Sequence, residues 1–156
     1  AASADHLVVT SDADIAALGK SETVAVSLPG TPFGLAEKDY TPAQKLIAAD
    51  AYFALATDCN PGTTWNESMQ FIIALACRAM KITPAQAIAA ATINSAHAIR
   101  RSDSIGSIEV SKQADMLILN VPEYRHLGYR YGTNLVRQVI KRGRVYSVDV
   151  GYYRTT

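Results

Sequence analysis

The chain has 156 residues, of which 49% are hydrophobic and 19% are charged, and its formal net charge is +1. This balance is that of a globular protein with a real core, and so small a net charge gives no electrostatic case for nucleic acid or an acidic membrane. No apolar run approaches the roughly 18 residues that a membrane-spanning helix needs. Cys59 and Cys77 have no CxxC spacing, and nothing in the sequence supports a disulfide between them. We therefore predict a reduced, cytoplasmic protein.

The chain begins with two predicted strand–loop–helix units. Ser3–Val9 is a strand end with a loop that carries His6, and a capped helix follows it. Thr23–Leu28 is rich in β-branched residues and predicts the second strand. Its loop covers Gly30–Asp39, and Thr41-Pro42 then supplies an N-cap and a first helical position for the next helix.

A third unit is centred on the apolar run Tyr52–Thr57, which predicts a short buried strand. The run stops at Asp58, and Asn60-Pro61-Gly62 predicts a turn before a helix that ends near Met80. In parallel α/β folds, functional side chains lie on the loops just beyond the carboxyl ends of strands. Asp58 occupies such a position and is a candidate site residue. The alternative is that Asp58 is a turn former or a helix cap, since Asp is common in both roles.

The spacing of the three strands, roughly 25 to 30 residues, suits βαβ crossovers and a parallel sheet. Two further short helices are predicted next, the first opened by a capping box at Thr83. The pattern then changes to strands at Gly106–Val110 and Asp115–Leu119, and to a hairpin around Arg142-Gly143. A β-rich segment is therefore expected after the α/β part.

Five stretches of the chain resemble one enzyme family, in the same order along the sequence. They are Ser3–Leu7 (SADHL), Ala54–Gly62 (ALATDCNPG), Glu67–Gln70 (ESMQ), Thr92–Ala96 (TINSA) and Tyr131–Gly143 (YGTNLVRQVIKRG). On these residues the chain resembles the imidazolonepropionase family, a branch of the amidohydrolase superfamily, from about residue 3 to about residue 146. The resemblance is specific, because many barrels have a strand that ends in Asp but few continue as DCNPG and carry SADHL upstream.

The resemblance implies an α/β fold in two parts. Residues 1–100 would be the last three βα units of a TIM-like (β/α)8 amidohydrolase barrel, and residues 101–156 a small β-rich composite domain segment. A complete barrel needs about 250 residues, so we expect the chain to be the C-terminal part of a longer enzyme. One feature departs from the superfamily, which usually has Gly in the turn before its Ala-Asp pair, where this chain has Ser111 or Lys112.

The residues alone do not support a metal site, because His6, His97 and His126 show neither an HxH nor an HExxH spacing. The resemblance implies one divalent metal ion, zinc or iron, whose ligands lie outside this chain except for Asp58. It implies that Asp58 also accepts a proton from the nucleophilic water. It implies that His6, the second catalytic residue, stabilises the substrate carbonyl or relays a proton. Without the resemblance, His6 reads as a core or surface histidine, and His97 and His126 match no catalytic position.

The resemblance also implies that Asn60, Gly62 and Thr63 hold the substrate. Asn offers donors and an acceptor and Gly permits close backbone approach, although an ordinary tight turn uses the same residues. The implied reaction is metal-dependent hydrolysis of 4-imidazolone-5-propanoate to N-formimino-L-glutamate in histidine degradation. The alternatives are another amidohydrolase, either a cyclic amidase or a deaminase, and a non-catalytic half-barrel that only binds or assembles.

Three parallel strands from an eight-stranded barrel would leave two open edges and an uncovered inner face. We therefore expect the chain on its own to be inactive and to associate. Its expected partners are further copies of itself in a homo-oligomer, or the missing N-terminal part of the same enzyme or another chain. A small-molecule substrate is the remaining expected partner, with no nucleic acid and no membrane.

Overall fold

The computed structural model describes residues 1–147. In the N-terminal part the elements are β1 (Ser3–Asp5), α1 (Asp12–Leu18), β2 (Val24–Ser27), α2 (Gly30–Gly34), α3 (Ala43–Ala48) and β3 (Phe53–Leu55). Three helices follow, α4 (Met69–Ala79), α5 (Pro84–Ala91) and α6 (Ile93–Ala98). The C-terminal part contains β4 (Met116–Leu119), a 3₁₀ helix (Tyr124–Gly128), β5 (Val136–Lys141) and β6 (Arg144–Ser147).

The first three strands form one parallel sheet in the order β1–β2–β3, which confirms the predicted pairing. Ala4 of β1 is in register with Ala25 of β2, and Ala25 is in register with Phe53 of β3. All four residues of β2 are buried, as expected for a central parallel strand that is covered on both faces. The carboxyl ends of the three strands therefore lie at one edge of the sheet.

The main hydrophobic core lies between one face of this sheet and the helices. Phe53 of β3 packs there with Leu46 of α3 and Ile72 of α4, and all three side chains are at most 2% exposed. The same core includes Leu127 and Leu135, which come from the C-terminal part of the chain. The 3₁₀ helix accordingly contacts both α4 and α5. Burial of these large apolar side chains is what holds the two parts together.

The opposite face of the sheet is also covered, and our expectation of an uncovered inner face is wrong for the strands described. Val24, Val26 and Ala54 form a second buried cluster, and Ala98 of α6 packs against it. Val24 and Ala54 are both 0% exposed. Helix α6 thus packs on side chains that we expected to be left uncovered.

The outer edge of β3 is capped in part, where we expected an open edge. Alternate backbone groups of β3 pair with β2, so the carbonyls of Phe53 and Leu55 point away from it. The Asn94 side-chain amide donates to the Phe53 carbonyl at 2.8 Å, and the Ser95 hydroxyl donates to the Leu55 carbonyl at 2.8 Å. Side chains of α6 therefore satisfy acceptors that an additional strand would otherwise bind.

The helix caps follow the sequence in one case and not in another. The predicted capping box of Thr83 and Gln86 is confirmed at the start of α5. The predicted N-cap of α3 at Thr41 is wrong, because Pro42 occupies the cap position and no side chain bonds there. The buried Thr41 hydroxyl instead donates to the backbone carbonyl of His6 at 2.6 Å. A tertiary acceptor thus takes the hydroxyl that local pattern had assigned to the helix.

Helix α2 lies inside Gly30–Asp39, so the prediction of a loop there is wrong for its first half. Two glycines and a proline among five residues give no helical period and poor helix propensity. The helix therefore depends on contacts with other parts of the chain, which are described with the site.

The C-terminal strands form an antiparallel sheet in the order β4–β5–β6. The predicted hairpin at Arg142-Gly143 is confirmed, and its two turn residues have positive φ, 49° and 75°, as in a type I′ turn. The Asp115 carboxylate anchors this turn, because it accepts from Lys141 Nζ at 2.5 Å and from the Arg142 backbone N–H at 2.8 Å. These two bonds lower the pKa of Asp115 to about 2. Residues 148–156 of the predicted C-terminal segment lie outside the described residues.

The predicted strand Gly106–Val110 is wrong, since this stretch has no regular structure. Its apolar side chains at Ile108 and Val110 are exposed, so their alternation does not reflect a buried face. Gly106 has φ 97°, and a Cβ added there would stand 2.7 Å from Ala96 Cβ. Close packing on α6 therefore sets the path of this segment.

Two other expectations concern a disulfide between the cysteines and a membrane-spanning helix. Cys59 and Cys77 are both free thiols. Burial raises the pKa of the Cys77 thiol. Across residues 1–147, no helix has the length and apolar character needed to cross a bilayer.

Substitution of Asn94 by Ala tests the capped edge of β3. The change leaves the buried Phe53 carbonyl without a partner, which costs about 1–3 kcal/mol. The loss is measured by urea unfolding of the full-length gene product, which is called the intact protein below. Gln44→Ala is the matched control, because it removes an amide donor from the carbonyl of Lys81 at an exposed position, and we expect a loss below about 0.5 kcal/mol. Equal losses in the two variants would contradict the edge-capping role.

Candidate functional site

The candidate site lies at the edge where the carboxyl ends of β1, β2 and β3 meet. His6 follows β1 directly, α2 begins a few residues after β2, and Asp58 follows β3. Each of these residues or segments is brought there by the parallel pairing of its strand. The turn that contains Asn60, Gly62 and Thr63 continues from Asp58. The structure therefore gathers all the predicted site residues at one end of one sheet.

His6 stands where the chain turns sharply out of the sheet. His6 and Leu7 have φ values of 69° and 59°, in the left-handed region, and the Leu7 N–H donates to the Asp5 carbonyl at 3.0 Å. The Thr41 hydroxyl holds the His6 carbonyl, as described above, and itself accepts from Ser27 Oγ at 2.7 Å. The backbone of His6 is thus tied to β2 through Ser27 and to the segment before α3 through Thr41, while His6 itself is exposed.

Asp58 also has a left-handed backbone, with φ 50°. Its side chain is half-buried, and its Oδ2 accepts from Thr31 Oγ1 at 2.6 Å. No other described residue has a hydrogen bond to the carboxylate, so Oδ1 is left for other partners. Asp and Asn tolerate this backbone region better than most residues, which agrees with an Asp at this strand end.

The turn after Asp58 is organised by the side chain of Asn60. Its Oδ1 accepts from the backbone N–H groups of Gly62 and Thr63, both at 2.9 Å. Its Nδ2 donates to the Asp58 carbonyl at 2.6 Å and to Thr63 Oγ1 at 3.0 Å. The backbone of Asn60 closes the turn by donating to the Thr64 carbonyl at 3.0 Å. The hydrogen bonds of the Asn60 side chain therefore stay within the turn. The exposed residues of the turn are Cys59, Pro61 and Gly62.

Helix α2 supports this turn from behind, and sequence reasoning missed it. A Cβ added at Gly34 would stand 2.1 Å from the Thr63 carbonyl oxygen, and one at Gly30 would stand 2.8 Å from Thr64 Oγ1. The two glycines let the helix approach the turn more closely than any other residue would allow. Their spacing of four residues on one helix face, in Gly30-Thr-Pro-Phe-Gly34, is the signal that could have identified the contact.

The two other histidines lie away from this edge. His97 of α6 contacts the ring of Tyr52 at a centroid distance of 4.9 Å, and Tyr52 precedes β3 at its opposite end. His126 belongs to the 3₁₀ helix, where its Nδ1 lies 3.2 Å from the Tyr129 hydroxyl. Both side chains have partners within the fold and belong to its packing.

The donor chemistry at the edge fits part of a metal site. A carboxylate oxygen and a neutral imidazole are ligands that zinc and iron accept. Among residues 1–147, however, no group of three or more His, Cys, Asp or Glu side chains is placed to hold a metal ion. The described residues therefore offer single donors at this edge and do not by themselves form a metal site.

Comparison with known proteins decides the family. Residues 2–146 match the profile of the Amidohydrolase family. The chain belongs to the amidohydrolase family.

Its relatives include several imidazolonepropionases. The chain is 57% identical over 145 residues to the imidazolonepropionase of Herpetosiphon aurantiacus, which covers 93% of this chain and 34% of that protein. It is 50% identical to the imidazolonepropionase of Geobacillus sp., with the same shares covered. This amidohydrolase chain thus spans about one third of the length of the relatives it matches.

Solved amidohydrolases have a similar fold. A zinc-bound adenosine deaminase from Xanthomonas campestris superposes with a TM-score of 0.81 at 25% identity, over 94% of this chain and 37% of that one. Guanine deaminase of E. coli gives a TM-score of 0.75 at 16% identity, over 94% and 39%. The α/β architecture with a parallel and an antiparallel sheet is therefore that of the family.

Substitution of Gly34 by Ala tests the close contact between α2 and the turn. The added methyl meets the Thr63 carbonyl oxygen, and forcing the two backbones apart costs about 1–3 kcal/mol. Gly132→Ala is the control, because nothing lies within 4 Å of a Cβ added there, and we expect a change below about 1 kcal/mol. Urea unfolding of the intact protein provides both values. A Gly34→Ala variant as stable as Gly132→Ala would mean that the contact does not constrain the turn.

Proposed function

We propose that this chain forms the Asp58 side of the active site in an imidazolonepropionase. The reaction is hydrolysis of 4-imidazolone-5-propanoate by one water molecule, which breaks a ring C–N bond and gives N-formimino-L-glutamate. The observation that carries the proposal is the Asp58 carboxylate at the carboxyl end of β3, with Oδ2 held by Thr31 and Oδ1 without a hydrogen bond from any residue in 1–147. The 57% identity to an imidazolonepropionase over 93% of the chain supports the choice of substrate.

We propose further that the parallel sheet corresponds to the last three βα units of a (β/α)8 barrel. Residues 1–100 would belong to the barrel and residues 101–156 to a small β-rich composite domain. The order β1–β2–β3, the crossover helices and the superposition on solved amidohydrolases support this division. The main core that the two parts share through Leu127 and Leu135 would then be the contact between domain and barrel.

The cofactor of the proposed enzyme is one divalent metal ion, zinc or iron. When bound, such an ion lowers the pKa of its water to about 7 and so supplies a nucleophile at neutral pH. Asp58 is the ligand in this chain. We assign the other ligands to the segment of the relatives that this chain does not span, whether it belongs to the same polypeptide or to another chain.

In the proposed mechanism, Asp58 and His6 act from their positions at the carboxyl ends of β3 and β1. Oδ1 of Asp58 is left for the metal ion, and Asp58 accepts the proton of the nucleophilic water at the second lone pair of Oδ2, the oxygen that also accepts from Thr31. The exposed imidazole of His6 donates a hydrogen bond to the substrate carbonyl or passes on a proton. The turn from Asn60 to Thr63 presents Gly62 to the substrate with little steric hindrance, because glycine has no side chain. The bonds from Gly62 and Thr63 to Asn60 Oδ1 hold the turn in shape.

Deamination is the second candidate function. The solved structures with the same fold include an adenosine deaminase and a guanine deaminase. Deaminases and cyclic amidases both need an activated water and an acid–base carboxylate, so the edge described here would serve either reaction. Substrate choice depends on the groups that surround the substrate ring, and the Gly62 turn would supply only some of them.

A substrate assay on the intact protein tests the proposal. The protein is incubated separately with imidazolonepropionate, adenosine and guanine, and the products are measured by mass spectrometry and by ammonia release. We expect N-formimino-glutamate from the first and no ammonia from the purines. Ammonia from a purine would favour a deaminase, and no turnover of any substrate by metal-loaded protein would favour a half-barrel that only binds or assembles.

Substitution of Asp58 by Asn tests the ligand. The change replaces a charged ligand and base with a neutral amide, so the intact protein should lose bound metal and activity together. Metal content by mass spectrometry and turnover are measured on the same sample.

His6→Ala is the contrasting variant. It should lower kcat by roughly 10² to 10⁴, the range for the loss of a positioned acid–base group, while the metal stays bound. An Asp58→Asn variant with full metal content and near-normal turnover would refute the ligand assignment. Loss of metal from His6→Ala would make His6 a ligand instead.

A further inference from the structure

Thr31 has a bond that no local role explains. It is the second residue of α2, a helix whose cap position is Pro29 and which has no side-chain cap. The Thr31 hydroxyl does not serve its own helix but reaches Asp58 Oδ2 across 27 positions of sequence. At 2.6 Å this is a hydrogen bond to a carboxylate, the kind that is shorter and about twice as strong as a bond between neutral groups.

The position of Thr31 is itself tightly determined. Gly30 and Gly34, on either side of it, are packed against Thr64 and Thr63 with no room for a Cβ. The ring of Phe33 contacts the ring of Phe71 on α4 edge-on, at a centroid distance of 5.3 Å. Helix α2 is therefore fixed to the turn on one side and to α4 on the other. Because Thr is β-branched, its hydroxyl has few orientations once the backbone is fixed.

The bond from Thr31 restricts the orientation of the Asp58 carboxylate. The left-handed backbone of Asp58 is an uncommon conformation for a non-glycine residue. A single proton from Thr31 occupies Oδ2 and so fixes the rotation of the carboxylate plane. Oδ1 is then the oxygen that faces other partners, and it does so in one orientation.

We propose that Thr31 is a positioning residue that holds Asp58 for one-oxygen binding of a divalent metal ion through Oδ1. The proposal rests on the function proposed above. It adds a residue of α2, the helix after β2, which carries none of the site residues derived from the sequence. Outer hydrogen-bond partners of metal ligands typically contribute 10-fold to 100-fold to metal affinity, and Thr31 has the geometry of such a partner.

The test compares three variants of the intact protein. Thr31→Val keeps the shape and removes the donor, and Thr31→Ser keeps the donor and removes the methyl. Thr23→Val is the matched control, because Thr23 precedes β2 at the opposite end of the sheet and its hydroxyl donates to the Ala1 carbonyl at 3.1 Å. Thr31→Ala replaces Thr31→Val if the valine variant does not fold.

Zinc affinity is measured by competition with a chelator, and the visible spectrum is recorded with Co²⁺ in place of zinc. We expect Thr31→Val to bind zinc about 10-fold to 100-fold more weakly and to change the cobalt spectrum. Thr31→Ser and Thr23→Val should match the unaltered protein. Both readouts report on the metal site itself, and comparison of Thr31→Val with Thr31→Ser separates loss of the hydroxyl donor from loss of the methyl.

Two results would overturn the proposal alone. One is unaltered zinc affinity and spectrum in Thr31→Val, and the other is equal weakening in Thr31→Val and Thr31→Ser, which would assign the effect to packing of the methyl. An unaltered protein that binds no zinc and hydrolyses no imidazolonepropionate would overturn the proposed function and this inference together. The two failures are therefore distinguishable by the behaviour of the unaltered protein.

Discussion

Parallel pairing of β1, β2 and β3 is the constraint on which the site depends. Because the strands run in one direction and in register, the residues that follow them leave the sheet at one edge. His6 and Asp58 are 52 positions apart in sequence, yet both lie at that edge. The edge is stable because β2 is buried on both faces and the outer carbonyls of β3 are capped by α6. A site of this kind needs no local sequence motif to bring its members together.

Hydroxyl groups link the loops at this edge in two different ways. Thr41, joined to Ser27, holds the backbone carbonyl of His6, and this bond does not involve the imidazole. Thr31 holds the side chain of Asp58 and leaves one oxygen free. The difference suits the roles proposed for them, since a metal ligand benefits from a fixed orientation and a group that relays a proton needs to move. The Asn60 turn, held from inside and packed on α2, is the third fixed part.

Sequence reasoning succeeded where the signal was local. The β3 run, the Thr83 capping box and the Arg142-Gly143 turn each depend on neighbours within a few residues, and each was predicted correctly. It failed at Thr41, because an acceptor 35 positions away takes the hydroxyl. It missed α2, because that helix exists through contacts with the turn rather than through propensity. Thr31 could not be found from sequence, since its significance lies in one long-range hydrogen bond. The catalytic roles of His6 and Asp58 came from resemblance and stay predictions.

The central claim is that Asp58, oriented by Thr31, is a metal ligand. A crystal structure of the intact protein with zinc bound tests it most directly. We predict zinc at about 2.0–2.2 Å from Asp58 Oδ1, the usual distance for a carboxylate ligand, with Oδ2 still accepting from Thr31. Zinc held by other residues, with Asp58 outside bonding distance, would contradict the account.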